Sequence, residues 1–155
     1  MGKAMPKLDL GAIEEVNRTG YPPPYHEAVK GRWYRRLSPA SGLTDFGASL
    51  VRLEPGAWSS QRHWHDSEDE LVVMLEGEAV LVEDSGATVL RPGDIAAFPK
   101  GTGDGHHLRN ESDGECRFLV VGSGTPVSGG YSDIDMLFTA EGGYTRKDGS
   151  PLDPQ

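Results

Sequence analysis

The feature that most constrains the fold is a series of short apolar segments, each ended within a few residues by Gly, Pro, Asp or Ser. The chain of 155 residues contains 21 Gly and 11 Pro, which punctuate this series as turns would. No long segment shows the 3.6-residue periodicity of an amphipathic helix. Short strands at this spacing predict an all-β fold, a sandwich or a barrel. The strand candidates are GRWYRRLS, LTDFGASLVRLEPG, ELVVMLEGEAVLVED, ATVLRPGDIAAFP and CRFLVVGS.

Two positions inside the series carry residues that favour tight turns. Gly77-Glu78 and Asp84-Ser85-Gly86 each separate two apolar stretches. Such residues tolerate the backbone conformations, including positive φ, that hairpins require. We therefore expect the strands on either side of both turns to pair antiparallel.

The strand predicted to begin at Glu70 is apolar on both faces. Alternation of side chains places Val72 and Met74 with Glu70 on one face and leaves Leu71 and Leu75 on the other. A strand of this kind is normally covered on both sides. The N-terminal arm, another sheet or a second subunit must therefore cover the outer face, and we expect a homodimer.

The length of the chain predicts a single domain with three parts. Residues 1–30 are polar, and the prolines at 22–24 force an extended path, so this part is expected to be an arm laid over the barrel. The barrel itself is placed at residues 31–125. Residues 126–155 form a C-terminal extension that packs on the barrel and whose last ten residues are expected to be mobile. Its candidate anchors are Ile134, Met136, Leu137 and Phe138.

The composition argues against several classes of partner. Lys and Arg total 15 against 24 Asp and Glu, a formal charge of −9 that repels nucleic acids and anionic membranes. Residues 1–18 lack the apolar core of a signal peptide, and no run of about 18 apolar residues could span a bilayer. We expect a cytoplasmic protein. Cys116, the single cysteine, lies in an apolar segment and is predicted to be a core residue.

Four of the five histidines fall into two clusters, which indicates a metal site. His63 and His65 are two residues apart, so on a strand both project from the same face. Glu70 follows a polar stretch and can return its carboxylate to the same interior. For the second cluster, His106 shares a face with Leu108, and this apolar companion favours His106 over His107 as the inward ligand. The role of His107 stays open.

These clusters lie in two motifs that resemble those of the cupin superfamily. The first motif reads G-x6-HxH-x4-E-x6-G in this chain, with one residue more between the first glycine and the paired histidines than the family's pattern; it comprises Gly56, His63, His65, Glu70 and Gly77. The second, G-x5-P-x-G-x2-H-x3-N, has four residues instead of two before its histidine; it comprises Gly93, Pro99, Gly101, His106 and Asn110. The resemblance is to bacterial single-domain cupins of the cupin 2 conserved-barrel type, and it extends from about residue 32 to residue 122.

The resemblance implies a double-stranded β-helix, or jelly-roll, barrel that binds one divalent metal ion. The ligands it carries over are His63, His65, Glu70 and His106. Three imidazoles and one carboxylate suit iron, manganese, nickel, copper or zinc, and an octahedral ion would keep two positions for a small-molecule ligand, water or oxygen. The ligand set does not choose among these metals. Candidates to fix the tautomers of the histidines are Ser59, Ser60, Gln61 and Asn110.

The resemblance also sets the expected function. A small-molecule dioxygenase is the first expectation, a sugar or sugar-phosphate isomerase is the second, and a non-catalytic ligand-sensing module is the third. The one histidine outside both clusters is His26, so the sequence identifies no general base and leaves open whether the protein is an enzyme.

Other charged residues near the predicted site receive weaker interpretations. Asp66, Glu68 and Asp69 are expected to form a solvated acidic loop. Lys100, in the loop at the barrel mouth, could attract an anionic substrate. Arg62 is assigned no role.

Overall fold

The computed structural model describes residues 6–152 and forms twelve strands within that range. The strands are β1 (Arg32–Arg36), β2 (Gly47–Leu53), β3 (His63–His65), β4 (Glu70–Glu76), β5 (Ala79–Glu83), β6 (Gly86–Leu90), β7 (Ile95–Phe98), β8 (His107–Arg109), β9 (Cys116–Gly122), β10 (Gly129–Tyr131), β11 (Leu137–Phe138) and β12 (Tyr144–Thr145). The helices are α1 (Leu37–Ser41) and the single 3₁₀ turns Leu10–Ala12 and Glu27–Val29. No helix within residues 6–152 is long and apolar enough to cross a bilayer.

Antiparallel pairing organises the strands into three sheets. The largest has the order β1-β2-β9-β4-β7, a second has the order β6-β5-β8, and a third has the order β12-β11-β10-β3. Backbone bridges between His63 and His106 and between Trp58 and Arg109 connect the chain segments around β3 and β8. Strands that do not follow one another in the chain pair repeatedly, as in a jelly roll. The predicted all-β barrel is therefore confirmed.

The core lies between the five-stranded and three-stranded sheets. It is built from alternate residues of the strands, because successive side chains point to opposite faces. Val72 and Met74 of β4 and Phe118 of β9 are at most 2% exposed. Cys116 is fully buried in the same cluster, as its apolar segment predicts. Burial of these apolar side chains is the main force that holds the sheets together.

One of the two predicted hairpins is present and the other is wrong. β5 and β6 pair across Asp84-Ser85, whereas β4 and β5 belong to different sheets. Gly77, with a φ of 68°, turns the chain from one sheet to the other. A Cβ atom there would stand 2.4 Å from the carbonyl oxygen of Glu115. The glycine thus permits a close crossing of two backbones, which its local sequence does not distinguish from a hairpin turn.

The N-terminal arm is attached to the edge of the five-stranded sheet. Val16 forms an antiparallel bridge with Tyr34 of β1. The Glu15 carboxylate accepts hydrogen bonds from Arg52 at 2.6 Å and Arg35 at 3.0 Å, and the bond from Arg52 holds the pKa of Glu15 below its usual value. This ionic contact, with the strand bridge, fixes the arm against β1 and β2.

The C-terminal extension adds strands to the barrel. β10 pairs with β3, and Met136, one of the predicted anchors, is fully buried. A bridge between Thr145 and Pro151 orders the chain beyond β12. The prediction of a mobile end covers residues 153–155 as well, and these lie outside the described residues, as do residues 1–5 of the arm.

The outer face of the five-stranded sheet is apolar, as predicted for β4. Leu71, Leu75 and the neighbouring Ile95 of β7 are 37%, 44% and 62% exposed. The described part of the N-terminal arm, residues 6–30, bonds to β1 at the far edge and does not pair with β4 or β7. The homodimer expected on this ground stays a prediction.

Candidate metal centre

Strand β3, the start of β4 and the segment just before β8 place the four predicted ligands at the interior of the barrel. His63 and His65 lie on β3, and the backbone of His63 exchanges hydrogen bonds with that of His106 at 2.9 and 3.1 Å. Glu70 is the first residue of β4. The backbone pairing of β3 with the segment before β8 sets the positions of the histidines, while the turn before β4 returns the carboxylate to them.

Three of these side chains converge on one point. One ligand atom from each of His63, Glu70 and His106 lies within 4.8 Å of the others. His106 Nε2 is 3.0 Å from Glu70 Oε1. The ring of His65 lies 4.9 Å from that of His63, and its Nδ1 is 3.8 Å from Glu70 Oε2. His63, Glu70 and His106 therefore form one candidate metal-binding group, and His65 lies beside it; the set of four ligands stays a prediction.

An aromatic side chain holds His106 in place. The ring of Phe98, at the end of β7, stacks on the imidazole with a centroid separation of 3.6 Å and an interplanar angle of 5°. Glu70 and Phe98 are directly opposed on the paired strands β4 and β7. The sequence analysis did not identify Phe98, because nothing in its local pattern separates it from an ordinary core phenylalanine.

His63 is held as a neutral imidazole. Its Nδ1 is 2.9 Å from the carbonyl oxygen of Gln61 and 3.2 Å from Ser60 Oγ, so Nδ1 donates its hydrogen there and Nε2 is left as the acceptor. Burial lowers the pKa of His63 to about 4. A neutral imidazole with a free nitrogen is the form that binds a metal ion. Ser60 and Gln61 were among the predicted tautomer-fixing residues, whereas Asn110 bonds to backbone oxygens elsewhere.

Glu70 is ionised in the same environment. Its burial alone would raise its pKa, but the hydrogen bond from His106 and the electrostatic interactions with the nearby histidines outweigh this effect and lower the pKa overall. A carboxylate and neutral imidazoles together form the donor set that a divalent transition metal requires.

His65 presents a buried nitrogen that no group satisfies. Its Nδ1 has no hydrogen-bond partner and lies 3.7 Å from Glu68 Oε1. His65, Glu68 and Glu70 form a second group of possible ligand atoms. An unsatisfied buried polar atom costs about 1–3 kcal/mol, which a bound ion or a shift of Glu68 would relieve. The residues at this point fit a metal ion.

The expectation of a solvated acidic loop is wrong for Glu68. Its side chain is 12% exposed, and Oε2 accepts a hydrogen bond from Ser123 Oγ at 3.0 Å. Asp66 and Asp69 are exposed, as expected. Glu68 is largely buried where Asp66 and Asp69 are not, because it lies three residues after His65 and two before Glu70, in the turn that leads back to the site. This spacing is the feature of the sequence from which its position could have been predicted.

His107 lies outside the candidate group and has both ring nitrogens engaged. Nδ1 donates to the Ser60 carbonyl oxygen at 2.8 Å, and Nε2 accepts from Arg109 Nε at 2.9 Å. Burial lowers its pKa to about 4. The guanidinium of Arg109 in turn stacks 4.1 Å from the ring of Trp58. His107 therefore fastens the segment that leads to His63.

Arg62 and Lys100, whose roles were open, make structural contacts. Arg62 donates two hydrogen bonds of 3.0 Å to the carboxylate of Asp133 and further bonds to Asp84 and to the Gly105 carbonyl. It thereby joins the C-terminal extension to the barrel-mouth loop. Lys100 is exposed, and its backbone N–H donates to Asp69 Oδ1.

A cavity of about 350 Å³ opens beside the candidate group. This size suits a small-molecule ligand. The C-terminal extension lines a separate pocket at His63 and His65, where the Phe138 ring lies 5.8 Å from that of His65 and 6.1 Å from that of His63. The cavity is lined by Tyr21, Arg32, Tyr34, Ser49, Val51, Ser59, Ser60, His63, Glu70, Val72, His106, Leu108, Phe118 and Val120.

Comparisons with known proteins agree with this architecture. The family model for the cupin domain matches residues 49–122. A crystal structure from Silicibacter pomeroyi, described as a sugar phosphate isomerase from a cupin superfamily, is 50% identical to this chain. The match covers 96% of this chain and 97% of that one, with a TM-score of 0.91. No curated protein matches the chain.

More distant structures share the fold alone. A putative sugar phosphate isomerase from Acidithiobacillus ferrooxidans is 23% identical, with 81% of this chain and 84% of that chain covered and a TM-score of 0.69. A polyketide cyclase from Streptomyces resistomycificus is also 23% identical, with coverage of 80% and 84% and a TM-score of 0.63. The chain belongs to the cupin superfamily and has a cupin 2 type domain.

Proposed function

We propose that this protein is a metal-dependent isomerase that acts on a small sugar derivative. The observation that carries the proposal is the 50% identity, over nearly the whole of both chains, to the structure described as a sugar phosphate isomerase. The convergence of His63, Glu70 and His106 beside a cavity of about 350 Å³ supports it, because such a site can hold an ion and a substrate together.

The metal ligands in this proposal are His63, His65, Glu70 and His106. A divalent ion at these residues would act as a Lewis acid on the carbonyl oxygen of an open-chain sugar. His106 Nε2 lies 3.0 Å from Glu70 Oε1 and donates its hydrogen there, so this nitrogen could bind an ion only in the other tautomer, with the hydrogen on Nδ1. The remaining chemistry belongs to the residues that surround the substrate.

Those residues position the substrate. Conversion of an aldose to a ketose moves one proton from C2 to C1 and another from the C2 hydroxyl to the carbonyl oxygen. Tyr21 lines the cavity, and burial raises the pKa of its hydroxyl, which therefore stays protonated and can donate a hydrogen bond to a substrate oxygen. Phe138 and Tyr131 place apolar ring surface beside His63, with ring centroids 6.1 Å from it in both cases.

The oxygenase and the ligand-sensing module stay predictions of the sequence. Neither gains an observation of its own from the described residues, because the same donor set would serve all three functions. Oxygen uptake by the metal-loaded protein would favour the oxygenase.

We also propose that a second copy of the chain covers the outer face of the five-stranded sheet. Leu71, Leu75 and Ile95 are exposed there. The apolar surface continues onto β9, where Val121 is paired with Leu71. A monomer rarely leaves such a continuous apolar surface in water.

The isomerase proposal is tested by incubating the metal-loaded protein with aldose phosphates in D₂O and following the products by NMR. We expect an aldose–ketose interconversion, with deuterium at C1 of the ketose, and at C2 of aldose re-formed from it, if the transferred proton exchanges with solvent. His63→Ala should abolish turnover, whereas the control His26→Ala changes a histidine in the arm, outside the site, and should retain it. No conversion across the common aldoses, their phosphates and their uronic acids would contradict the proposal.

A further inference from the structure

One arginine in the cavity wall carries a charge that no carboxylate of residues 6–152 balances. Five other arginines of this part of the chain form ion pairs with Asp or Glu; they are Arg35, Arg52, Arg62, Arg91 and Arg117. Arg32 has no such pair among the described residues. A partly buried cation without a counter-charge is costly, and such a group marks a position where an anion is expected.

Arg32 is nevertheless held rigidly. Its Nη1 donates to the Ser59 carbonyl oxygen at 2.9 Å, and its Nη2 donates to the Arg18 carbonyl oxygen at 3.0 Å. Its guanidinium carbon lies 5.4 Å from the ring centre of Tyr34. Two carbonyls and one ring face fix the plane of the guanidinium without neutralising it. The third donor, Nε, is buried and has no hydrogen-bond partner.

The position of Arg32 relative to the metal ligands leaves space for a small molecule. Arg32 and Tyr34 share the inner face of β1, where they oppose the buried residues Leu53 and Val51 of β2. β1 is three strand positions from β4, which bears Glu70. At about 4.8 Å per strand, their backbones are roughly 14 Å apart along the sheet. Both Arg32 and Glu70 line the same cavity.

The charges of the cavity are therefore divided between its two sides. Apart from the histidines, its charged lining residues within the described chain are Glu70 at the metal-ligand side and Arg32 at the β1 side. The chain as a whole has a formal charge of −9, which disfavours an anion at most of its surface. A local cation is needed if the substrate is anionic.

We propose that Arg32, assisted by the Tyr34 hydroxyl, binds an oxyanion of the substrate, a phosphate ester or a carboxylate, while the carbonyl end of the same molecule lies at His63, Glu70 and His106. The Tyr34 hydroxyl is available because its one hydrogen bond within residues 6–152, to the Arg18 carbonyl oxygen, is long at 3.4 Å. This inference rests on the proposed function and names its substrate class: a sugar that carries one anionic group.

The test is calorimetric titration of metal-free protein with inorganic phosphate. Arg32→Gln should bind phosphate at least about 10-fold more weakly than the wild type. Arg36→Gln is the matched control, since Arg36 lies on the same strand, is exposed and does not line this cavity; its affinity should stay within about twofold of wild type. Equal phosphate affinity in wild type and Arg32→Gln would overturn the proposal.

The source of the anion is resolved by a second titration with three matched ligands: a neutral aldose, its uronic acid, which keeps the aldehyde and carries a carboxylate at the other end, and its phosphate ester. Tighter binding of the phosphate ester or of the acid, lost in Arg32→Gln, supports the proposal and identifies the group. Binding of all three with equal affinity contradicts it. Because binding is measured without turnover, a failure of the isomerase assay leaves this result intact.

Further variants guard against a folding defect, since Arg32 also holds the Ser59 and Arg18 carbonyls. Arg32→Lys keeps the charge but loses Nε and the planar fork, so it should bind phosphate more weakly than wild type and more tightly than Arg32→Gln. Tyr34→Phe removes a single hydroxyl and should weaken phosphate binding several-fold. If both variants melt like the wild type and bind phosphate equally well, the proposal is wrong.

Discussion

Replacement of His107 separates the two adjacent histidines by role. His107 is 1% exposed and outside the candidate metal-binding group, whereas His106 lies within it. His107→Ala should therefore destabilise the fold and leave metal binding in place. His106→Ala should do the reverse: it should remove the ion while the metal-free protein loses less stability.

The size of the His107 effect follows from its contacts. The substitution leaves the Ser60 carbonyl oxygen and Arg109 Nε without their partners, at about 1–3 kcal/mol for each buried group. Arg109 is only half-buried and can regain water, which keeps its share at the low end. Loss of the ring that packs against Trp58 adds a cavity cost. The sum is about 3–5 kcal/mol, or roughly 10 °C in Tm for a chain of this length.

The assay is denaturant unfolding of both variants without metal, followed by metal content after reconstitution. A His107→Ala protein that folds but binds no metal, beside a His106→Ala protein that does bind it, would refute the reasoning. The two histidines would then have exchanged roles, and the register of β8 would be shifted by one residue.

Three further predictions concern other parts of the molecule. His63 and His107 have folded-state pKa values of about 4, below the usual value of about 6.5, so the unfolded chain binds more protons than the folded one between these pH values. The metal-free protein should therefore lose stability as the pH falls from about 6.5 to about 4. Chemical unfolding at several pH values measures this, and a free energy of unfolding that does not change with pH would contradict it. Glu68→Gln should weaken metal affinity by about 10–100-fold because Glu68 lies beside the unpaired Nδ1 of His65, whereas the control Asp69→Asn, at an exposed residue, should not weaken it. Competition with a chelating dye gives the metal dissociation constant of each variant, and equal constants would show that Glu68 does not contribute to the site. If a second copy of the chain covers the outer face of the five-stranded sheet, Ile95→Glu should convert a dimer to a monomer in sedimentation velocity. A wild-type protein that sediments as a monomer would show that no second copy covers this face.

The sequence predicted the parts of this structure that depend on alternation along one strand. His63 and His65 share a face because they are two residues apart, and the inner face of β4 follows from the same rule. Two motifs with the right residue types then identified the family. These patterns are local, so they can be read without knowledge of the pairing between strands.

Features that depend on contacts between distant segments escaped prediction. Phe98 stacks on His106 only because β7 pairs with β4. β10 contains two glycines and has little strand propensity of its own, yet it pairs with β3. A Cβ atom at Gly129 would stand 2.0 Å from the carbonyl oxygen of Trp64, so the absence of a side chain is what allows the approach. Such requirements are set by the partner strand and leave no periodic signal.

Metal content measured by plasma mass spectrometry tests the central claim most directly. The protein should be expressed without metal supplementation, as wild type and as the four single alanine variants at His63, His65, Glu70 and His106, with His26→Ala as control. We predict about one divalent ion per chain in the wild type and the control, and a large loss in each ligand variant. A wild-type protein that binds no ion even after reconstitution, or ligand variants that retain it, would contradict the account.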